Sequence, residues 1–405
     1  MGVKNVGFKF NLHTIHSSGR RKVLLFVFLL FIIVLVFSCL FLVFNGAFPF
    51  MTKTPETSIT TTSEAELEEA VNNAVGPTVI TLDGDIELTE ALIIPAGKEI
   101  TLTSSNIENG FYKLIGANNQ SAIIVETDGV LRLDGVVVTH EKGVYGSGVF
   151  ADFGSALILY SGVICNNTMP KDYMTPNGEW GGGVVNLGTF SMIGGEISSN
   201  TAYIGGGGVL NYGTFEMTGG KISGNTVSIG SGEESVSGFY GCGYGGGVFN
   251  ALNFSMSGGE ISGNTAEAGG GVFNRWSIFS LDGGVICGNT ASVGGGVHNF
   301  YGTVSMSGGV ISDNVAWDKG GGVLNYFMWS TFNMSEGVIS NNKAGNLGGG
   351  VCSDYEFNMS GGVISGNTAN YGGGVYVGNG SFNSSGGKVS GNTANQSGND
   401  VYYQK

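Results

Sequence analysis

A glycine-rich motif that recurs through the second half of the chain limits the folds it can adopt. Gly-Gly-Gly-Val returns about every 25 residues, a spacing typical of solenoids in which each repeat forms one turn. A second motif, Gly-x-[Ile/Val]-[Ser/Cys]-x-Asn, keeps the same phase along the sequence. The valines of the first motif are Val184, Val209, Val248, Val272, Val297, Val323, Val351 and Val375. The asparagines of the second motif are Asn167, Asn200, Asn225, Asn264, Asn289, Asn314, Asn342, Asn367 and Asn392.

A third segment of each repeat alternates apolar and polar residues, as in Phe190-Ser191-Met192. Three short strands in about 25 residues predict an all-β fold, a right-handed parallel β-helix whose coils stack about 4.8 Å apart. Inward-facing Val, Ile, Phe and Met would form one continuous core, and the asparagines would hydrogen-bond from coil to coil as a structural ladder. We expect about 12 coils, irregular over 78–160 and regular over 161–405.

Two stretches interrupt the period and predict inserted loops, one near 169–179 and one near 231–244. Loops that break a regular scaffold are frequent sites of function. Ahead of the first coil, Ser63 and Glu66 have the spacing of a helix N-cap and its capping-box partner. They predict a helix over 63–75 that covers the first coil, with Leu67, Ala70 and Val71 on its apolar face.

The N-terminal region has the pattern of a membrane anchor. Residues 23–44 are almost entirely apolar and long enough to cross a bilayer as a helix. The basic residues Arg20, Arg21 and Lys22 place 1–22 in the cytoplasm and the rest of the chain outside. A cleaved signal peptide, which would make the protein secreted, is the alternative. Residues 45–62 are expected to be a flexible linker.

The net charge limits the class of ligand, and the positions of the cysteines limit disulfide formation. The net charge of −14 argues against nucleic acid as a ligand. Cys165 and Cys287 occupy equivalent repeat positions four coils apart, roughly 19 Å by the coil spacing. A disulfide needs Cα atoms within about 7 Å, so these thiols should be free.

The repeat sequences resemble a known group of proteins. "GGEISGNTAEAGGGVFN", "GGVISGNTANYGGGVY" and "GNTANQSGNDVYY" are similar to the adhesin-like β-helix repeat surface proteins of archaea and bacteria, grouped with the pectate-lyase-like superfamily. A looser similarity links the chain to chlamydial polymorphic outer-membrane repeats, which have GGA[ILV] where this chain has GGGV. The first resemblance covers 58–405 and implies a β-helix. It says little about activity.

Catalytic chemistry has little support in the sequence. Enzymes of the pectate-lyase-like superfamily need clustered carboxylates with Arg or Lys beside them. Here Asp282, Asp313 and Asp354 fall in different columns of the repeat, while Arg275 and His298 share a face if coils stack closely. We therefore predict no catalytic, metal or cofactor site, and we keep a polysaccharide lyase or glycoside hydrolase as the alternative function.

Aromatic residues give the stronger functional hypothesis. They follow the Gly-Gly-Gly-Val-x-Asn segment in several repeats, where the chain turns. Stacked in successive coils they would form a strip that binds sugars or protein partners. We expect a non-catalytic, adhesin-like or structural surface protein that binds glycans or neighbouring surfaces. The members of the predicted strip are Tyr212, Trp276, Phe300, Tyr301, Tyr326, Phe327, Trp329 and Tyr355.

Overall fold

The repeating motifs wind into the predicted solenoid. A computed structural model describes residues 57–169, 181–228 and 243–404, and over these ranges the chain forms an all-β parallel solenoid of about 13 turns. Every pairing between its strands is parallel and joins one coil to the next. The strands belong to three sheets that extend along the solenoid. The sheets are named A, B and C below.

Sheet B contains the Gly-Gly-Gly-Val segments. The glycines lie in close contact with the next coil: a Cβ at Gly296 would lie 2.6 Å from the carbonyl oxygen of Gly322. Glycine is needed here because any side chain would collide with backbone. The strands of sheet B are Leu92–Ile94, Ile123–Val125, Val149–Ala151, Val184–Asn186, Val209–Asn211, Val248–Asn250, Val272–Arg275, Val297–Phe300, Val323–Tyr326, Val351–Ser353, Val375–Val377 and Val401–Tyr403.

Sheet A contains two strands per coil, the Phe-x-Met segment and the Ile-Ser segment that follows. Two early strands are long enough to include both segments, which joins them into one sheet of 23 strands. The strands of sheet A are Thr57–Thr61, Thr78–Leu82, Ile86–Glu87, Glu99–Ser104, Lys113–Gly116, Val130–His140, Ala156–Cys165, Thr189–Met192, Glu196–Ser198, Thr214–Met217, Lys221–Ser223, Asn253–Met256, Glu260–Ser262, Ile278–Leu281, Val285–Cys287, Thr303–Met306, Val310–Ser312, Thr331–Met334, Val338–Ser340, Glu356–Met359, Val363–Ser365, Ser381–Ser384 and Lys388–Val389.

Sheet C is a fourth segment of the regular coil that the three-strand prediction lacked. It begins directly after the asparagine of the second motif, usually with Thr-Ala. Several of its strands have only two residues, too short for alternation to reveal. They are Thr168–Met169, Thr201–Ala202, Thr226–Val227, Thr265–Ala268, Thr290–Val293, Val315–Lys319, Lys343–Ala344, Thr368–Tyr371 and Thr393–Ser397.

The core is a set of columns in which equivalent side chains stack from coil to coil. Phe190, Phe215, Phe254 and Phe279 lie in register and are at most 1% exposed. Their rings stack with centroids 4.6–4.7 Å apart and planes within 10°. Stacked, fully buried aromatic rings contribute both apolar burial and ring–ring attraction.

One helix packs against the first coils. It spans Glu64–Asn73, and the Ser63 side chain caps it by accepting from the Glu66 amide at 3.4 Å. The Glu66 carboxylate turns back over this end of the helix and accepts from the Thr62 amide at 2.8 Å. Leu67, Ala70 and Val71 are buried in the core cluster of the solenoid. A single 3₁₀ turn spans Ile107–Asn109.

The predicted linker ends earlier than expected. Residues Thr57–Thr61 form a strand that pairs in parallel with Thr78–Leu82, which adds a coil rung at this end. The segment is rich in β-branched threonine and isoleucine, and these residues favour strands when a partner strand is in register.

No helix among the described residues is long and apolar enough to cross a membrane. The predicted tail at 1–22, the anchor at 23–44 and the linker up to residue 56 lie outside the described residues. So does most of each predicted insertion. Met169 and Tyr244, at the limits of the two insertions, belong to the coils: Met169 ends a strand of sheet C, and Tyr244 bridges Gly205 and Ala268.

Candidate functional site

Six of the eight predicted aromatic residues form one cluster, called here the aromatic surface. It lies where the chain turns from sheet B into sheet A on three successive coils. Tyr301 is in its centre, 5.7 Å from Trp276 and 6.1 Å from Trp329 between ring centroids. The remaining members fill the space behind these three. The aromatic surface consists of Trp276, Phe300, Tyr301, Tyr326, Phe327 and Trp329.

Two of these rings are largely open to solvent. Trp276 is 62% exposed and Trp329 is 76% exposed. Leu252, Ile278 and Met328, close by in sequence and register, are exposed as well. Grouped exposed apolar side chains on a soluble domain mark interaction sites more often than isolated ones do.

Two predicted residues do not join the cluster. Tyr212 packs on Phe249, 6.1 Å between ring centroids, and belongs to a coil closer to the N-terminus. Burial raises the pKa of its hydroxyl, while the positive charge of Arg275 lowers it. Tyr355 makes no ring contact within the described part of the chain.

The backbone at the aromatic surface is strained. Trp276, Tyr301, Phe327 and Trp329 have φ values of 50°, 58°, 78° and 64°. Bulky residues seldom adopt this left-handed conformation, and each instance costs about 1–3 kcal/mol. Strain of this kind persists where the surrounding structure holds it, and it concentrates at functional sites.

Two cations lie against the edges of this cluster. The guanidinium carbon of Arg275 is 4.6 Å from the Trp276 ring centroid, and the Lys319 ammonium is 5.9 Å from that of Tyr326. Neither makes an ion pair within the described residues. Cation–π contacts of this type hold a ring in place while leaving its other face accessible.

His298 lies beneath the aromatic surface. His298 belongs to a column of side chains on the opposite face of sheet B from the inward valines, called here the outward column. Its members are the residues that directly follow the valine of each Gly-Gly-Gly-Val segment. The His298 ring contacts those of Phe273, Phe300 and Tyr326 at centroid distances of 5.0, 5.9 and 6.4 Å. Within the described part of the chain, neither ring nitrogen has a hydrogen-bond partner. The neighbouring members of the outward column are Phe249, Phe273, Leu324, Cys352 and Tyr376.

The predicted juxtaposition of Arg275 and His298 does not form an acid–base site. His298 is only 6% exposed, and desolvation lowers its pKa to about 3, so it stays neutral. Arg275 is engaged with Trp276 instead. Although His298 follows the inward Val297 in its strand, Phe300 of the same strand and Tyr326 of the next cover its ring.

The predicted asparagine ladder is confirmed and is called here the first ladder. Each Oδ1 accepts from the Nδ2 and the backbone amide of the asparagine in the preceding coil. Between Asn264 and Asn289 both distances are 2.9 Å. Each Nδ2 also donates to a backbone carbonyl, as Asn289 does to Ile261 at 2.9 Å. All nine asparagines are at most 5% exposed.

A second ladder was not predicted. It uses the asparagine of Gly-Gly-Gly-Val-x-Asn, with Nδ2–Oδ1 distances of 2.7–2.9 Å. The signal was present in the sequence, because this asparagine recurs with the same period as the asparagine of the first ladder. From the sequence alone, it served only to locate the turn that follows. The members of the second ladder are Asn186, Asn211, Asn250, Asn274, Asn299 and Asn325, followed by Ser353, whose hydroxyl accepts from Asn325.

The two ladders end differently. In the first, the His140 Nδ1 is 2.7 Å from the Asn167 Oδ1, and the Asp400 carboxylate accepts from Asn392. His140 thus supplies a donor to the Asn167 oxygen at the start of the first ladder, and Asp400 supplies an acceptor to the Asn392 Nδ2 at its end. In the second, the Asn186 Oδ1 is buried and has no partner over the described ranges, since the register places Ala151 opposite it.

Other candidate chemistry is sparse in the described ranges. No three His, Cys, Asp or Glu residues there lie close enough to hold a metal ion. Cys165, Cys287 and Cys352 are free thiols. Burial raises the pKa of each, which disfavours the reactive thiolate.

Comparisons of the chain with protein-family models, with curated proteins and with solved structures found no match.

Proposed function

We propose that this protein is a non-catalytic, adhesin-like surface protein whose solenoid binds glycans through the aromatic surface. The observation that carries the proposal is the line of three aromatic residues, Trp276, Tyr301 and Trp329, on successive coils. Their rings present apolar faces at one edge of the solenoid, the outer two largely exposed. The apolar face of a sugar ring packs on such a surface while its hydroxyls stay hydrated.

The strained backbone supports the same function. Glycine or asparagine at these turns would avoid the penalty, yet large aromatic residues occupy them on three successive coils. The chain tolerates about 1–3 kcal/mol at each position. A ligand that uses these rings explains why they stand where a smaller residue would fold more favourably.

The location of the protein is proposed from the sequence. The apolar run at 23–44, preceded by basic residues, favours a membrane anchor with the solenoid outside. Residues 58–405 resemble adhesin-like surface proteins that fold as right-handed β-helices. This resemblance agrees with a solenoid placed outside the cell.

The alternative of a polysaccharide-cleaving enzyme has no specific observation in its favour. In the described part of the chain, the carboxylate–cation pairs are Glu99–Arg132, which is partly buried, and Glu260–Lys221, which is exposed, and the two pairs lie far apart along the solenoid. Exposed pairs of this kind are common on surfaces and contribute little.

The experiment is a glycan array together with a polysaccharide-digestion assay on residues 56–405, the compact unit that contains the solenoid. The test variant is Trp276→Asn/Trp329→Asn, because asparagine tolerates the left-handed backbone at both positions. We expect binding without new reducing or unsaturated ends, and at least about tenfold weaker binding by the variant, equivalent to about 1.4 kcal/mol.

The control is Trp317→Asn. Trp317 is 74% exposed, like the two test residues, but lies in sheet C and outside the aromatic surface. Equal loss in the control, or no glycan bound by the unmodified protein, would contradict the proposal. Release of cleaved products would favour the enzyme.

A further inference from the structure

A second surface feature lies on sheet A, towards the C-terminal end of the solenoid. It is a groove of about 470 Å³ formed across three coils. Asparagine and serine side chains line the groove together with Met334 and Met359, whose position Ser384 takes in the third coil, and no lining residue is charged. The groove, called here the asparagine-serine groove, is lined by Asn333, Met334, Ser335, Asn358, Met359, Ser360, Asn383, Ser384 and Ser385.

Three amides run along the groove in register. The Asn358 Nδ2 donates to the Asn333 Oδ1 at 3.0 Å, and the Asn383 Nδ2 donates to the Asn358 Oδ1 at 2.9 Å. These contacts give all three amides one orientation. In the preceding coils the same column contains Ser255, Ser280 and Ser305, so the amide array is confined to the groove.

The fixed amides leave both kinds of hydrogen-bonding group unused. Among the described residues, the Asn333 Nδ2 has no acceptor and the Asn383 Oδ1 has no donor. The hydroxyls of Ser360 and Ser385 likewise have no partner there. A carboxylate or sulfate only accepts hydrogen bonds, so it could pair with the unused donors of the groove but not with the unused acceptors. A hydroxyl both donates and accepts and could pair with either kind of group.

Charge also disfavours an anionic ligand. No lining residue is charged, and the one carboxylate in contact with the amide array is that of Glu356, which accepts from Asn358 at 3.0 Å. The chain as a whole has a net charge of −14. An acidic polymer would be repelled over the range of the Debye length, about 8 Å at physiological ionic strength.

One strand links the aromatic surface to the groove. Trp329 lies two residues before the strand Thr331–Met334, whose outward residues are Thr331 and Asn333, and Asn333 lines the groove. A ligand can therefore stack on the exposed indole and continue along the same strand into the amide array. A stacking platform beside convergent polar groups is the usual composition of a site that orients its ligand.

We infer that the asparagine-serine groove is a binding site for a neutral, hydroxyl-bearing glycan chain, whose other units stack on the aromatic surface. The inference rests on the proposed glycan-binding function and adds the chemical class of the ligand. Each sugar unit supplies the mixed donors and acceptors that the groove leaves unused. An uncharged chain also avoids repulsion by the acidic protein.

The test is calorimetric titration of the full chain, in mild detergent, with three linear hexasaccharides: β-1,4-glucose, β-1,4-mannose and galacturonate. The test variant is Asn333→Val/Asn358→Val/Asn383→Val, since valine suits an outward strand position and removes the amides. Its matched control is Ser255→Val/Ser280→Val/Ser305→Val, in the same column outside the groove. Thermal melting verifies that both variants fold.

We expect a neutral hexasaccharide to bind, and the galacturonate hexasaccharide to bind at least tenfold more weakly. The affinity of the groove variant for the neutral hexasaccharide should fall at least tenfold, while that of the control variant should not change. The groove variant loses three amides at once, and the loss of their hydrogen bonds to the glycan accounts for this change. Preference for galacturonate, or unchanged binding by the groove variant, overturns the inference but leaves the proposed function standing. Failure of the unmodified solenoid to bind any glycan on the array defeats both.

Discussion

The first ladder and the outward column follow the same solenoid but are built in opposite ways. In the ladder, Asn264, Asn289 and Asn314 repeat one residue, and each amide has partners in both neighbouring coils. In the outward column of the same coils, Phe273 is followed by His298, whose ring nitrogens have no hydrogen-bond partner among the described residues. Both columns are buried.

The difference shows what fixes a residue in a repeat. A chain of hydrogen bonds that crosses every coil needs the same donor and acceptor at every step, because a buried group left unpaired costs about 1–3 kcal/mol. An outward column under an aromatic cover needs only to be filled. Its members therefore vary in chemistry, and one of them is a histidine held neutral.

The largest expected effect comes from breaking the first ladder. Asn289→Ala leaves the Asn264 backbone amide and one Nδ2 hydrogen without their acceptor, and we expect a loss of about 3–5 kcal/mol in the free energy of unfolding. The matched variant is Asn274→Ala in the second ladder. There the Asn250 Nδ2 keeps Ser277 and Ile278 as acceptors, so we expect about 1–3 kcal/mol.

Urea denaturation of both variants measures the two losses. An equal loss would mean that the contact from the Asn264 backbone amide to the Asn289 Oδ1, which has no counterpart at Asn274 among the described residues, adds nothing. A larger loss in Asn274→Ala would reverse the comparison.

The next effect is sensitivity to acid from the outward column. The pKa of His298 is about 3 when folded, against its ordinary value of 6.5. Between pH 6.5 and 3, the unfolded chain therefore binds a proton at His298 that the folded chain does not bind. The contribution of this group to stability is present above pH 6.5 and is lost as pH falls from 6.5 to 3, by about 1.4 kcal/mol per pH unit.

His298→Leu is the control, because Leu324 fills the equivalent position in the next coil. Its unfolding free energy should depend less on pH, by the slope just given, between pH 6 and 4. At neutral pH it should be at least as stable as the natural chain, since two unpartnered nitrogens disappear. Parallel pH dependence of the two proteins would show that His298 does not carry the effect.

The smallest effect tests the open end of the second ladder. Ala151→Ser places a hydroxyl opposite the unpartnered Asn186 Oδ1, and we expect a gain of about 0.5–1 kcal/mol, measured by thermal and urea denaturation. The opposite variant, His140→Ala, removes the donor at the start of the first ladder and should destabilise the protein. If Ala151→Ser is destabilising, steric crowding at this fully buried position outweighs the new hydrogen bond.

The period of the sequence was sufficient to predict the solenoid and the first ladder. Regular spacing brings Asn264 and Asn289 to the same place in adjacent coils, and an amide at that place has only its neighbours to bond with. Five of the six clustered aromatics were predictable for the same reason. Phe300 and Tyr326 directly follow asparagines of the second ladder, and the other three come one residue later: Trp276, Tyr301 and Phe327.

Features that depend on conformation rather than spacing were missed. The strand Thr201–Ala202 is too short for alternation to identify, although it pairs on both sides. The left-handed backbone of Trp276 contradicts the preference of its own residue type, so no local rule predicts it. The burial of His298 depends on rings from the same strand and the next, a contact that a one-dimensional pattern does not contain.

The polarity of the first ladder has a consequence for how the gene can change. Every rung accepts from the coil before it and donates to the coil after it, so any internal coil has the same boundary on both sides. Duplication or deletion of a whole repeat between Asn200 and Asn392 leaves every amide bonded, and only His140 and Asp400 must stay in place. Recombination can thus lengthen or shorten the protein in steps of one coil, about 4.8 Å each, without redesigning either end.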